Sequence, residues 1–198
     1  MKALVVYAHP TPESFAAAVR DRAVATLAAR GAEVAVLDLY GEGFDPALST
    51  EEWAGERDGR AGGAADAQRA EHLRLLRWAD ALILVYPTWW GGQPAMLRGW
   101  FDRVFVEGVA YTRRPGSARI RPGLRNIRRC AVLTTHGSGK GMNLLQGEPG
   151  RLLVRRGLRV LFHPLCRVRW VALYGMDRNE EHVRRAHLQR VERVLRRL

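Results

Sequence analysis

ALILVYPTWWGG, residues 81–92, joins six uncharged residues to a proline, a threonine, two adjacent tryptophans and two glycines. The uncharged half reads as a strand covered on both faces, as parallel strands are. The second half is harder to explain. Trp is large and costly to leave wet, and Gly at a strand end marks close approach of something else. A flat aromatic ligand lying on a backbone loop accounts for both residue types. A corner of the core accounts only for the tryptophans.

Working outward, apolar runs alternate with helical periodicity. Residues 2–8 (KALVVYA) predict a first strand and residues 14–30 an Ala-rich helix, with Ser14 as N-cap and Gly31 just past its end. Residues 33–39 (EVAVLDL) predict a second strand, 66–78 a helix, 81–86 the third strand, and 94–104 a helix with Pro in its first turn. Residues 129–135 (RCAVLTT) predict a fourth strand, 150–156 a helix stopped by Gly157, and 159–162 a fifth strand. Residues 179–198 close the chain as an amphipathic helix with Val183, His187, Val191, Val194 and Leu198 on one stripe. Residues 41–65 and 106–128 read as long loops, the first containing the low-complexity run GERDGRAGGAADA. Strands alternating with helices predict an α/β fold. The expectation is one domain over residues 1–198: a flavodoxin-like, doubly wound, five-stranded parallel sheet, order 2-1-3-4-5, with helices on both faces. In that order a ligand sits beyond the carboxyl ends of strands 1 and 3.

Composition bounds the function. With 198 residues and 47% hydrophobic content, the chain can bury a full core. No apolar run approaches the roughly 18 residues of a bilayer span, and MKALVVYAHP lacks a leader pattern. Cys130 and Cys166 lie in apolar surroundings and read as buried and reduced, which predicts a cytoplasmic protein without membrane insertion. The net charge of +12 is carried by arginines scattered along the chain, with only Lys2 and Lys140 as lysines. It reads as solvated basic surface, not a nucleic-acid footprint.

Three unusual loops follow strands 1, 3 and 4: AHPTPESF, PTWWGG and TTHGSGKG. The first lacks the G-x-G-x-x-G dinucleotide fingerprint but sets His9 and Ser14 ahead of a helix N-terminus, a setting for phosphate or for a simple cap. The third lacks the spacing of a Walker loop, though its glycines can present N–H groups to a heterocycle. The six histidines have no metal-site spacing, so no metal is expected, and no G-x-S-x-G elbow exists.

YAHPTPESF, DLYGEGFDP, YPTWWGGQPAMLRGWFDRVF, GVAYT and TTHGSG, in this order, resemble the flavodoxin-fold NAD(P)H:quinone reductase family, which includes flavoprotein subunits of potassium-efflux systems. The resemblance covers residues 2–147 and implies a homodimer that binds FMN, or alternatively FAD. It implies two-electron, ping-pong transfer from NAD(P)H to a quinone-like acceptor. A regulatory subunit docked on a membrane transporter is the alternative it implies. Carried over, His9, Ser14, Phe15 and Ala16 surround the flavin phosphate and ribityl chain. Pro87, Thr88, Trp89, Trp90 and Gly91 line the isoalloxazine, and Thr135, His136 and Gly137 reach its pyrimidine end. Tyr111 matches a tyrosine that overhangs the partner's flavin, and Tyr111 and His136 are the candidate catalytic residues. Trp100 and Phe101, adjacent on one helix, are expected to face different surfaces, one of them a partner chain. The chain departs from the family at Ala16, an amide in many relatives, and at His136, often Gly. It departs again at Glu148–Pro149, where mammalian members carry a His, and at Arg113, often aromatic; Arg113 is a candidate contact for the 2′-phosphate of NADPH.

Overall fold

The computed structural model describes residues 1–57, 67–114, 116, 119–178 and 180–198. Its strands are β1 (Lys2–Tyr7), β2 (Glu33–Asp38), β3 (Ala81–Thr88), β4 (Tyr111–Arg113), β5 (Ile120–Pro122), β6 (Arg129–His136) and β7 (Arg167–Tyr174). Five of them form a parallel sheet in the order β2-β1-β3-β6-β7, and β4 and β5 form a separate antiparallel hairpin. Counting only the large sheet, this is the expected 2-1-3-4-5.

The uncharged run of β3 is central because both its faces are covered. Leu82 and Leu84 point into one core with Leu4, Val6 and Val132, while Ala81, Ile83 and Val85 point into the other with Ala3, Val5 and Leu133. Each fully buried aliphatic side chain stabilises the fold by about 1.5–3 kcal/mol relative to exposure. Helices α3 (Ala67–Trp78) and α4 (Ala95–Val104) cover the first face, while α1 (Phe15–Ala28) and α7 (Glu181–Leu195) cover the second. The chain therefore crosses to opposite faces after β1 and after β3, which opens a crevice between their carboxyl ends. Gly99 lets α4 lie against the preceding loop: a Cβ there would sit 2.2 Å from the Pro46 carbonyl oxygen.

Four expectations are corrected. The fifth strand is β7, not residues 159–162. After α5 (Lys140–Leu145) and α6 (Pro149–Leu152) the chain continues through a π-helical segment (Leu153–Leu158) and a 3₁₀ turn (Arg159–Leu161), passing the expected stop at Gly157. Leu158, Leu161 and Phe162 reach the core from these turns. Residues 41–65 are not all loop: α2 (Thr50–Arg57) starts with a reciprocal capping box, in which Ser49 N–H donates to Glu52 Oε2 (3.0 Å) and Glu52 N–H donates to Ser49 Oγ (3.1 Å). Most of the expected low-complexity run lies outside the described residues. Residues 106–128 contain the β4–β5 hairpin. Finally, Trp100 and Phe101 are both buried in the same core cluster, at 0% and 4% exposure. Their rings meet at 5.6 Å, because α4 is wedged deeply enough for two adjacent positions to be covered within one chain.

Candidate functional site

At the carboxyl end of β1, Ser14 caps α1 by accepting from Ala17 N–H (3.1 Å), and the Tyr7 hydroxyl meets its Oγ at 3.1 Å. Among the described residues the N–H groups of Phe15 and Ala16 have no protein acceptor. They point outward from the positive end of a fourteen-residue helix, as an anion site requires. The Phe15 ring turns inward against His187 (6.1 Å), leaving its backbone for a ligand. His9 Nδ1 lies 3.0 Å from the Thr11 N–H and 3.2 Å from the Thr11 carbonyl oxygen, so this loop holds the ring through that nitrogen. Burial lowers the pKa of His9, partly opposed by the contact with Thr11.

Pro87 is tolerated inside a central strand for a topological reason. Val85 is the last residue of β3 paired with β1, and its carbonyl accepts from Ala8 N–H. Two residues on, Pro87 faces the same side, where β1 has turned away and no donor is missed. The chain then reverses at Trp89–Gly92, closed by two backbone hydrogen bonds of 3.1 and 3.0 Å. Trp90 (φ 50°) and Gly91 (φ 76°) both adopt left-handed backbone, as the two central residues of a type I′ turn must. Glycine suits that conformation, whereas tryptophan is strained in it by about 1–2 kcal/mol. The Trp90 side chain is fully exposed and Trp89 is 41% exposed.

The end of β6 has a different character. Thr135 and His136 are buried, and Thr88 Oγ1 meets Thr134 Oγ1 at 3.0 Å. His136 Nδ1 pairs with Asn143 Oδ1 at 2.6 Å, and its Nε2 faces Thr88 Oγ1 at 3.4 Å. Asn143 Nδ2 in turn donates to the carbonyls of Ser138 and Gly139 and to Ser138 Oγ. Burial lowers the His136 pKa, outweighing Asn143 and Glu148, and keeps the ring neutral. Its other face stacks on Tyr174 (4.6 Å, 24°). The Tyr174 hydroxyl donates to Glu148 Oε1 (2.5 Å), and Arg151 Nη1 donates to Glu148 Oε2 (2.6 Å). Burial pushes the Glu148 carboxyl up, yet Tyr174 and Arg151 together hold it below its ordinary value. Gly137 packs against Asp177, whose Oδ2 lies 2.6 Å from where a Cβ would be.

The residues singled out after strands 1, 3 and 4 thus lie around one end of the sheet. Tyr111 does not join them. It begins β4 and lines a separate apolar groove of about 460 Å³ with Trp53, Phe101, Phe105, Ile120 and Val160. The Arg113 guanidinium is engaged by Glu107 (Nη2–Oε2 2.6 Å). Sequence reading missed Asn143, Tyr174 and Asp177, and it noted Glu148 only as a departure. Tyr174 and Asp177 were hidden by the displaced fifth strand, and nothing local marks Asn143 as the partner of His136. Cys130 and Cys166 are free and buried, and burial raises both thiols, Cys166 to about 11. Among the described residues there is no cluster suited to a metal ion, and no helix is long and apolar enough to cross a membrane.

A parallel sheet with its crevice at the switch point, rimmed by a helix terminus with unpartnered N–H groups and an aromatic turn, defines a doubly wound α/β protein. The flavodoxin-like fold family matches residues 1–198, and the chain belongs to that family. It is 34% identical over 170 residues to NAD(P)H dehydrogenase (quinone) 1 of Rattus norvegicus, covering 77% of this chain and 60% of the relative. The chain spans about 60% of the length of the curated relatives it matches first. The NAD(P)H:quinone oxidoreductase of Methanothermobacter marburgensis superposes with a TM-score of 0.81 at 28% identity, covering 99% of this chain and 96% of that one. An FMN-dependent NADH-azoreductase of Bacillus anthracis, solved with FMN, shares the fold at 16% identity and a TM-score of 0.76, covering 99% and 98%. The quinone-reductase resemblance carried by the motifs is borne out by the first two relatives.

Proposed function

We propose that this chain is a one-domain, cytoplasmic, flavin-dependent NAD(P)H oxidoreductase that reduces quinone-like acceptors, with FMN as its cofactor and FAD as the alternative. The observation that carries this reading is the pairing, across one crevice, of the unpartnered Phe15 and Ala16 N–H groups with the strained, solvent-facing Trp90–Gly91 turn. The helix terminus and the His9 ring suit a flavin phosphate. Pro87, Thr88, Trp89 and Gly91 offer a backbone wall for a ring system, and Thr135, His136 and Gly137 frame its far edge. A flavin bound there supplies the two-electron carrier between NAD(P)H and acceptor. Trp90 gives a flat acceptor an aromatic face and shields it from water. We assign His136 a positioning role: with one nitrogen on Asn143 and the other facing Thr88, it sets Thr88 and the 137–139 turn.

The same reading includes a homodimer. Trp53, Ile120 and Val160 are about half exposed around the groove that also holds Phe101, Phe105 and Tyr111. An apolar surface of this kind suits a second copy, which would carry Tyr111 toward the partner. The transporter-subunit alternative draws no support from the relatives described. The test is to purify the protein, release and weigh any yellow cofactor, titrate the stripped protein with FMN and FAD, and follow NAD(P)H oxidation with a quinone. Absence of flavin binding from both titrations overturns the reading. A monomeric mass at micromolar concentration overturns the dimer.

A further inference from the structure

We infer that the cavity bounded by Gly147, Glu148, Arg151, Leu152, Arg155 and Arg156 takes a phosphate monoester, the 2′-phosphate of NADPH, and so discriminates NADPH from NADH. The inference rests on the NAD(P)H reading above for the nucleotide that brings the phosphate. The cavity measures about 290 Å³, ample for a phosphate. It opens beside the aromatic turn, because the 146–150 segment packs against that turn. A Cβ on Gly91 would meet Gln146 Oε1 at 3.5 Å and Pro149 Cγ at 3.6 Å, and Gln93 Nε2 donates to the Gly150 carbonyl at 3.0 Å.

The charge of the cavity is set by its own bonding. Its one acid, Glu148, is already taken on both oxygens, by Tyr174 and by Arg151. Arg155 and Arg156 have no carboxylate partner among the described residues. The π-helical segment Leu153–Leu158 shapes the arrangement, since i→i+5 bonding brings residues four and five apart toward one face and lets Arg155 and Arg156 flank Arg151. Guanidinium forks match phosphate oxygens bidentately, and a dianionic monoester gains more from them than a hydroxyl does. Arg113, the candidate suggested by sequence, is less suited, because Glu107 occupies its guanidinium.

The test uses the flavin-loaded full chain and reads binding of fragments by calorimetry, independently of turnover. Adenosine 2′,5′-bisphosphate, ADP and inorganic phosphate are titrated into the wild type and into the Arg155→Ala/Arg156→Ala double variant, with Arg113→Ala as control. Both arginines of the pair are exposed, so the fold should survive, and a thermal melt checks it. The expected result is that the double variant loses roughly tenfold in affinity for the bisphosphate, with ADP unchanged and Arg113→Ala without effect. Equal loss for ADP and bisphosphate, or no loss, overturns the inference. So does free phosphate binding as tightly as the bisphosphate, which would mark a general phosphate site. Fragment discrimination without any NAD(P)H oxidation would leave this inference standing and overturn the proposed function. Oxidation of both nucleotides without fragment discrimination would do the reverse.

Discussion

After β3 the chain leaves Trp90 in solvent on left-handed backbone, while at the end of β6 it buries His136 and pairs it with buried Asn143 further on. The two loops flank the same crevice. The β3 turn has an unburied aromatic face and backbone strain, both of which a ligand would offset. The β6 loop is complete without a ligand, with each nitrogen of His136 facing a protein partner. One loop is shaped to receive, the other to hold its shape. A crevice that binds a rigid ring and then exchanges two flat substrates uses both properties, because preorganisation on one side lowers the ordering cost on the other.

Removing the internal partner should break this contrast most strongly. Asn143→Ala leaves His136 Nδ1 buried and unpaired and frees the 138–139 carbonyls. It should cost about 1–3 kcal/mol of stability in urea unfolding and weaken flavin binding in titration. An unchanged midpoint would mean the loop does not depend on this pair. Acidification probes the same difference, since the Trp89–Gly92 turn has no titratable side chain. The pKa of His136 is lowered by burial, and that of buried His187, whose ring meets Phe15, is lowered to about 4, by burial first and Arg190 second. The unfolded chain therefore takes up these protons first as pH falls below the ordinary imidazole range. Stability is full above that range and is lost on the way down to the folded-state pKa. His187 alone should account for about 2 kcal/mol between pH 7 and pH 5. Denaturant titrations at the two pH values, repeated on His187→Leu, should show most of the slope removed and a smaller residue of the same sign from His136 and His9. The smallest effect sharpens the contrast from the other side. Trp90→Asn replaces a strained residue by one that suits a type I′ turn, so it should raise stability by about 1 kcal/mol. It should also lower kcat/KM for a quinone roughly 2- to 12-fold, through loss of about 0.5–1.5 kcal/mol of stacking. A loss of stability would show that the turn is not strained.

Much of this was legible in the residues. Apolar runs within 2–8, 81–86 and 129–135 mark strands buried on both faces, and the switch-point rule then names the loops to inspect. The Ser49–Glu52 capping box is also legible, though the segment around it is rich in Gly, Ala and Asp. The fifth strand was not read, for a physical reason. β7 is an edge strand, and its first half, RVRW, alternates arginines with apolar residues, whereas RVLF at 159–162 offers the denser apolar run. Density of apolar residues was the wrong criterion, because those residues meet the core at helical spacing.

By itself, then, the sequence determined the α/β class, the order of the central strands and the three loops that converge. Those features depend on local periodicity and on connection rules that hold for any such chain. Only the tertiary structure decided what the loops do with their side chains. That His136 faces Asn143, that Glu148 bridges Tyr174 and Arg151, and that Arg113 is held by Glu107 while Arg155 and Arg156 are not are results of packing. Each is a pairing of a buried or half-buried polar group with whichever partner the folded backbone brings within about 3 Å, and no periodicity in the chain encodes that distance.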